Sequence, residues 1–331
     1  MRCADILDRA RDARILVVGD ICLDRWCRYD PALAEASRET GIPRHAVVRT
    51  EATPGAGGTV AVNLAALGAG RVSVMGAIGR DGFGHELRRS LAARGIESDR
   101  LVACDGIQTF TYTKLINAES GTEDLPRVDF VNTEPLEPAV DAEIVRRFRD
   151  SAPEFDAVVV ADQAETESGG AVTEALRAAI GHQARARPGK VFIADSRKRI
   201  ERFRSVIAVP NESEARAACL RVFGATDYSQ LRRRIAGPLL VVTAGEHGAW
   251  LVDGSGTRLL PACGIGETVD VCGAGDSLAA GLALALAAGA GHADALAFGI
   301  IVAGITVGKP GTGYALPREV LAAERSAAKG D

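Results

Sequence analysis

The chain has 331 residues, 47% of them hydrophobic and 25% charged, with a formal net charge of -4. That apolar share suffices for a large core, and α/β chains of this length often fold as one main domain with a small appendage. The weakly acidic balance argues against a nucleic-acid partner or an anionic membrane surface.

Met1 to Arg14 alternates charges without a long apolar centre, so no signal peptide is expected there. Ile15-Leu16-Val17-Val18 is a short apolar run ending at Gly19-Asp20, the pattern of a buried central strand in a parallel sheet. Asp24 follows shortly after. Ligands of open α/β sheets bind past the carboxyl ends of strands, so Asp24 is a candidate for binding polyol hydroxyls. Residues from about 27 to 50 lack helical periodicity and mix β-prone pieces with Pro31, Gly41 and Pro43. A second such stretch, about 109 to 131, alternates as a half-buried strand does. Together these two excursions predict a small β lid.

Pro54-Gly55-Ala56-Gly57-Gly58-Thr59, running on to Asn63 and Gly68, reads as a glycine loop that opens a helix closed by a C-terminal glycine. Val60 stands where a dinucleotide fingerprint needs its third glycine. Val72–Met75 is the next strand, and Asp81 after it reads as a helix cap. Ala157–Asp162, Val191–Asp195 and Val206–Pro210 predict three more parallel strands with a common carboxyl edge. Arg197-Lys198-Arg199 and Arg232-Arg233-Arg234 read as solvated faces. Asn211 and Glu214 lie three apart on one predicted helix face. Leu239–Thr243 is a strand leading into Thr243-Ala244-Gly245-Glu246-His247-Gly248, and Trp250–Gly256 is a hairpin. The Ala- and Gly-rich stretch from Gly281 to Gly308 is interrupted by Gly289, Gly291, His292 and Asp294, so two buried helices are expected rather than a membrane span. The seven cysteines include no C-x-x-C pair, and reduced thiols in a cytoplasmic protein are expected.

The most informative stretch is Asp270-Val271-Cys272-Gly273-Ala274-Gly275-Asp276-Ser277. Leu278, Leu282 and Leu286 continue it at helical spacing. Small residues at a helix N-terminus admit close approach of an anion to unpaired N–H groups. Asp276 is placed to accept a proton from an attacking hydroxyl. A glycine loop with an Asp cap is the alternative reading of the tetrapeptide alone.

The D-x-x-G-A-G-D-S run resembles the signature of the ribokinase (PfkB) family of carbohydrate kinases. The stretch from Pro54 to Gly68, the G-x-I-G-x-D-x-x-G run from Gly76, the N-x-x-E of Asn211 and Glu214, and the T-x-G-x-x-G of Thr243, Gly245 and Gly248 carry the same resemblance. It implies a ribokinase-like α/β fold: a doubly wound, mostly parallel sheet with helices on both faces and a small β-sheet lid, as one kinase domain over 1–331. It implies transfer of the γ-phosphoryl group of ATP, with Mg²⁺, to a sugar hydroxyl. Asp276 would be the base, and Gly273, Ala274 and Gly275 the anion hole. Asp24, Gly55, Ala56, Gly57, Gly58, Thr59 and Asn63 would serve the sugar side. Asn211, Glu214, Thr243, Gly245 and Gly248 would serve the nucleotide, with Glu214 tuning the metal through water. A homodimer through the lid is implied as well.

The opening G-D-x-x-L-D-R-W run, Thr113-Lys114-Leu115 and the Gly308-Lys309-Pro310-Gly311-Thr312 loop resemble the heptose 7-phosphate kinase branch. There Lys309 would reach phosphate, and D-glycero-D-manno-heptose 7-phosphate would be the substrate. The nucleotidyltransferase domain of bifunctional members is not expected in this chain. Two positions depart from the pattern. Thr59 stands for a sugar-binding Asn, and Glu165 for a Lys near the sugar phosphate. A kinase of another sugar or a nucleoside, and a non-catalytic sensor on the same fold, are the other readings.

Overall fold

The computed structural model describes residues 1–264 and 266–327; the rest of the expected 1–331 span lies outside the described residues. The strands are β1 (Arg14–Gly19), β2 (Ile21–Ala36), β3 (Pro43–Ala56), β4 (Arg71–Gly79), β5 (Glu97–Cys104), β6 (Thr111–Asn117), β7 (Val128–Phe130), β8 (Ala157–Asp162), β9 (Val191–Ser196), β10 (Ile207–Ala208), β11 (Leu240–Thr243), β12 (Ala249–Asp253) and β13 (Gly256–Leu260). Nine of them form one sheet in the order β13-β12-β11-β10-β9-β8-β1-β4-β5. The run from β11 to β5 is parallel, and the β12–β13 hairpin closes one edge antiparallel. From β1 the chain builds outward to β4 and β5, then returns to β8 and builds the other way. Connections therefore diverge beside β1, which opens a crevice at the carboxyl ends of β1 and β8.

The fully apolar strands follow from burial on both faces. Ile15 and Val17 pack with the helices Gly57–Ala66 and Ala274–Ala287 on one side. Leu16 and Val18 pack with Phe148, Phe155 and Phe203 on the other. Alternation along the strand is what splits the two cores. The two Ala- and Gly-rich helices, Ala274–Ala287 and His292–Val307, pack against each other through glycines. A Cβ on Gly281 would stand 2.9 Å from the Gly299 Cα. Among the described residues no helix is long and apolar enough to cross a membrane.

The lid is a four-stranded sheet, β3-β2-β6-β7. Its first excursion is longer than expected, since β2 begins at Ile21 and β3 runs to Ala56. Ile21 and Leu23 are buried in the main core, so the lid strands start inside the body. Gly55-Ala56 is correspondingly a strand end paired with Ile21 and Cys22, not a loop. The outer part of the lid carries exposed Leu33, Ile42, Val47, Val48, Val128 and Val131.

Candidate active site

The helix Ala274–Ala287 begins where the lid meets the main sheet. Gly273, its N-cap, has φ +76, and a Cβ there would stand 3.2 Å from Thr59 Cγ2 and 3.3 Å from Thr312 Cγ2. A left-handed conformation and methyl groups beneath it both favour glycine. Asp270 clasps the turn from below, accepting from the Cys272 N–H (2.9 Å) and the Gly311 N–H (3.2 Å). Gly275 is exposed, with open space where a side chain would go. Of the three expected anion-hole positions, Ala274 has its N–H engaged, donating to Val271 O at 3.2 Å.

Two clefts meet at this helix end. The first, about 120 Å³, is walled by Gly273 and Asp276, by Asp24, Trp26 and Ala56 from the lid base, and by Glu165 and Arg197 from the main sheet's carboxyl edge. Lys114 and Arg127 of the lid also line it. The second, about 590 Å³, lies on the helix's other side. It is walled by Ala274 and Leu278, by Gly245 and Gly248, and by Ile300, Ala303 and Val307 of the neighbouring helix. Ala274 and Leu278 are four apart and share a face, so the first helical turn is the partition between the clefts.

Several expected positions sit differently. Gly55 makes room for Asp24, because a Cβ there would collide with its carboxylate across the β2–β3 pair. Gly57 and Gly58 are buried in the turn, against Ile21 and Pro54. Of the stretch 55–59, Ala56 alone lines the first cleft, with φ 51 and ψ -118. An L-residue held there stores about 1–3 kcal/mol of strain, a feature common at functional sites. Thr59 is buried, and its hydroxyl donates to Pro54 O at 3.3 Å, away from the cleft.

Asn63, expected on the sugar side, is fully buried. Its amide N–H groups lie 3.2 Å from Thr59 O and Ser277 Oγ, and its carbonyl accepts from the Ala315 N–H. It ties two helices to the C-terminal loop, and its full burial keeps it from the cleft. Lys309, expected to reach phosphate, has partners within the protein. Its ammonium donates to Tyr314 O (2.6 Å) and pairs with Glu319 (2.8 Å).

On the nucleotide side, Gly245 and Gly248 line the second cleft, while Thr243 and Asn211 do not. Asn211 and Glu214 form a capping box on the helix Glu212–Phe223, each donating its N–H to the other's side chain at 2.9 Å. Only Glu214 Oε2 is used there. Glu214 also lines a third cleft of about 380 Å³, which shares Arg197 with the first.

Sequence reasoning passed over Arg197. It stands two residues beyond Asp195 at the carboxyl end of β9, where the strand-end rule applies, but the basic run hid it.

The match to the family model described as pfkB family carbohydrate kinase runs over residues 12–319. The chain belongs to the pfkB family. Members of that family are described as carbohydrate kinases. It is 35% identical over 322 residues to the bifunctional protein HldE of Methylococcus capsulatus, covering 94% of this chain and 64% of that one. It thus spans under two thirds of the length of that relative. It is 31% identical to the D-beta-D-heptose 7-phosphate kinase of Bordetella bronchiseptica, covering 95% and 96% of the two chains. Among solved structures, ribokinase from Thermotoga maritima superposes with a TM-score of 0.70 at 20% identity, covering 95% of this chain and 99% of that one. Phosphofructokinase-2 from Escherichia coli gives 0.70 at 18%, covering 96% and 100%.

In this pfkB-family chain, two carboxylates in the first cleft depart from ordinary behaviour. Burial pushes Asp276 up to about 7; the charges of Asp24 and Glu214 add to this, and Arg197 opposes it. Burial likewise pushes Asp24 up to about 7, against the pull of Lys114 and Arg127. Both values lie above those of the unfolded chain. Between about pH 4 and pH 7 the folded form then binds more protons than the unfolded one, so stability falls as pH rises through that window. Asp276→Asn removes its share of the penalty. In urea unfolding the variant should be more stable than the parent at about pH 8, with the gap narrowing towards about pH 5. Equal stability of the two at pH 8 would show that the carboxylate is not strained by its surroundings.

Proposed function

We propose that this chain is an ATP-dependent kinase of a sugar phosphate, with D-glycero-D-manno-heptose 7-phosphate the leading substrate. One observation carries the reading. Asp276 and the glycine turn stand on the partition between a small polar cleft and a larger apolar one. The apolar cleft suits a nucleotide base and ribose, and the polar cleft suits a sugar held by Asp24. The sugar hydroxyl oxygen bonds to the γ-phosphorus while the bond to the β,γ-bridging oxygen breaks, leaving ADP. Asp276 receives the hydroxyl proton, and its raised affinity for protons near neutrality suits that role. The N–H groups of Gly273 and Gly275 would face the charge on the phosphoryl oxygens, since that of Ala274 is engaged by Val271 O.

Among the described residues no group of three or more His, Cys, Asp or Glu could hold a metal ion. This fits Mg²⁺, which is usually carried by substrate phosphates and water with one or two carboxylates. Glu214, with one oxygen outside the capping box, would meet it through water. When bound, the ion offsets phosphate charge.

The cations around the first cleft favour a phosphorylated sugar, as do the relatives of the heptose branch. Glu165 favours a neutral sugar or a nucleoside instead, because it lines the same cleft. ADP release across a panel of sugars, nucleosides and sugar phosphates decides between them; no turnover with any acceptor would sink the kinase reading and leave a sensor. Asp276→Asn should lose about 10²–10⁴-fold in turnover, with ATP binding nearly unchanged. Retention of turnover within a few-fold would remove Asp276 from the chemistry.

Two like charges about 4 Å apart repel by roughly 4 kcal/mol at an effective dielectric of 20, and Glu165 is exposed, so solvent takes most of that. Glu165→Lys should raise kcat/KM for the sugar phosphate over the neutral sugar by about tenfold. An unchanged ratio would show that position 165 does not read the distal phosphate.

The reading includes one kinase domain across the chain, acting in the cytoplasm as a homodimer. Exposed Val47 and Val48 on the lid favour pairing with a second copy. Sedimentation at micromolar concentration should give a dimer, and Val48→Asp should shift it towards monomer. A monomeric parent would count against the lid interface.

A further inference from the structure

Four cationic side chains line the first cleft, and three of them already have carboxylate partners. Arg25 faces Glu86 at 3.8 Å, Lys114 faces Glu123 at 3.5 Å, and Arg127 pairs with Asp129 at 2.7 Å. Arg197 has no carboxylate within ion-pairing distance among the described residues. Its Nε donates to Gln163 Oε1 at 2.7 Å, and its terminal nitrogens have no protein partner among those residues. Its place is also distinct. It lines both the first cleft, with Asp24 and Asp276, and the third, with Glu214. A guanidinium left unpaired beside this many acids is held ready for an anion, because its charge would otherwise be spent on a neighbouring carboxylate.

The hold on Arg197 is built from behind. Asp20, buried at the carboxyl end of β1, accepts N–H groups from Gln163 (2.8 Å), Ala164 (3.1 Å) and Ala171 (2.7 Å). That fixes the backbone of Gln163, and the Gln163 amide then fixes the guanidinium through one neutral hydrogen bond. A neutral partner aims the cation without cancelling it. The Arg197 backbone is fixed as well, its N–H donating to Asp162 O at 3.0 Å.

We propose that Arg197 is the cation that meets the phosphoryl group as it enters the first cleft, and that Gln163 is the residue positioning it. The inference rests on the kinase reading of this site. Arg197 forms no covalent bond. It donates hydrogen bonds to the non-bridging oxygens while the γ-phosphorus exchanges the bridging oxygen of ATP for the sugar oxygen and Asp276 takes the proton. Such a contact strengthens in the transition state, so its loss appears in kcat.

The test is steady-state kinetics of Arg197→Ala, Arg197→Lys and Gln163→Leu in the full chain, with the acceptor that the parent turns over best. Arg197→Ala should lose about 10²–10³-fold in kcat, with KM for acceptor and ATP changed only a few-fold. Added guanidinium at millimolar concentration should restore part of the loss, while urea and sodium chloride at matched concentration should not. Arg197→Lys should recover part of the rate, since it keeps the charge but loses the fork. Gln163→Leu should lower kcat by about tenfold, leave KM alone and gain nothing from guanidinium. A merely structural Arg197 would give a loss that guanidinium does not reverse. A loss confined to the acceptor KM would make it a substrate-reading residue. Either result, or a kcat within a few-fold of the parent, overturns the proposal while leaving the kinase reading intact. A parent that phosphorylates no acceptor overturns that reading and the inference with it.

Discussion

The constraint on which the rest depends is the gathering of carboxylates at one edge of the sheet. Asp20 follows β1 and Asp162 ends β8, while the lid base and the helix Ala274–Ala287 bring Asp24 and Asp276 together in the first cleft. Like charges buried together raise one another's proton affinity, and each must be compensated or left partly protonated. The chain treats the four differently. Asp162 is neutralised outright in a buried pair with Arg199, with Ser196 donating a further hydrogen bond at 2.7 Å. Asp20 receives three backbone N–H groups, although burial still pushes it up to about 6. Asp24 and Asp276 receive no such set, and burial pushes both up to about 7. Of these four, the two outside the cleft are satisfied by the protein, and the two that line it are not.

The compensation also organises the backbone. Asp20 pins the segment from Gln163 to Ala171 that carries Glu165 into the first cleft, and the Asp162–Arg199 pair fixes the segment that carries Arg197. A buried ion pair is weak evidence for stability, because desolvation offsets most of the attraction. Here its value is positional: Arg199 points inward to Asp162, while Arg197, in the turn that follows β9, lines the cleft. The lid is tied into the same frame. Asp270 holds Gly311, which packs on Trp26, and Thr312 meets Thr53 of β3 at 3.1 Å. Movement of the lid base would be felt at the glycine turn through three short links.

The parts of the fold that were legible in the sequence are those where one physical pattern dominates. Ile15–Val18 and Ala157–Asp162 are buried on both faces, and an apolar run says so. The helix at Ala274 announces itself by small residues followed by leucines at i, i+4 and i+8. The lid edges were less legible. Ile21–Leu23 is apolar because it enters the main core, and Pro54–Ala56 holds a glycine because Asp24 lies over it, so a strand end looked like a loop. Lys309 and Asn63 read as ligand-side residues because their partners, Glu319 and Ala315, are set by tertiary packing alone. The basic run 197–199 hid three fates: a cleft residue, a lysine bonded to the Glu165 carbonyl, and half of a buried ion pair.

The Asn211–Glu214 pair shows how one pattern can serve two ends. Its spacing is that of a capping box, and the geometry is a complete one. Yet the cap uses only one oxygen of Glu214, and burial raises that carboxyl above its ordinary value. The cap therefore fixes the carboxylate's orientation at the mouth of the third cleft, where Arg197 faces it. Drift of the acid would cost it the hydrogen bond from the Asn211 N–H. The bond that caps the helix is thus also the one that aims the Glu214 carboxylate at the third cleft, so the sequence pattern alone could not separate a structural role from a functional one.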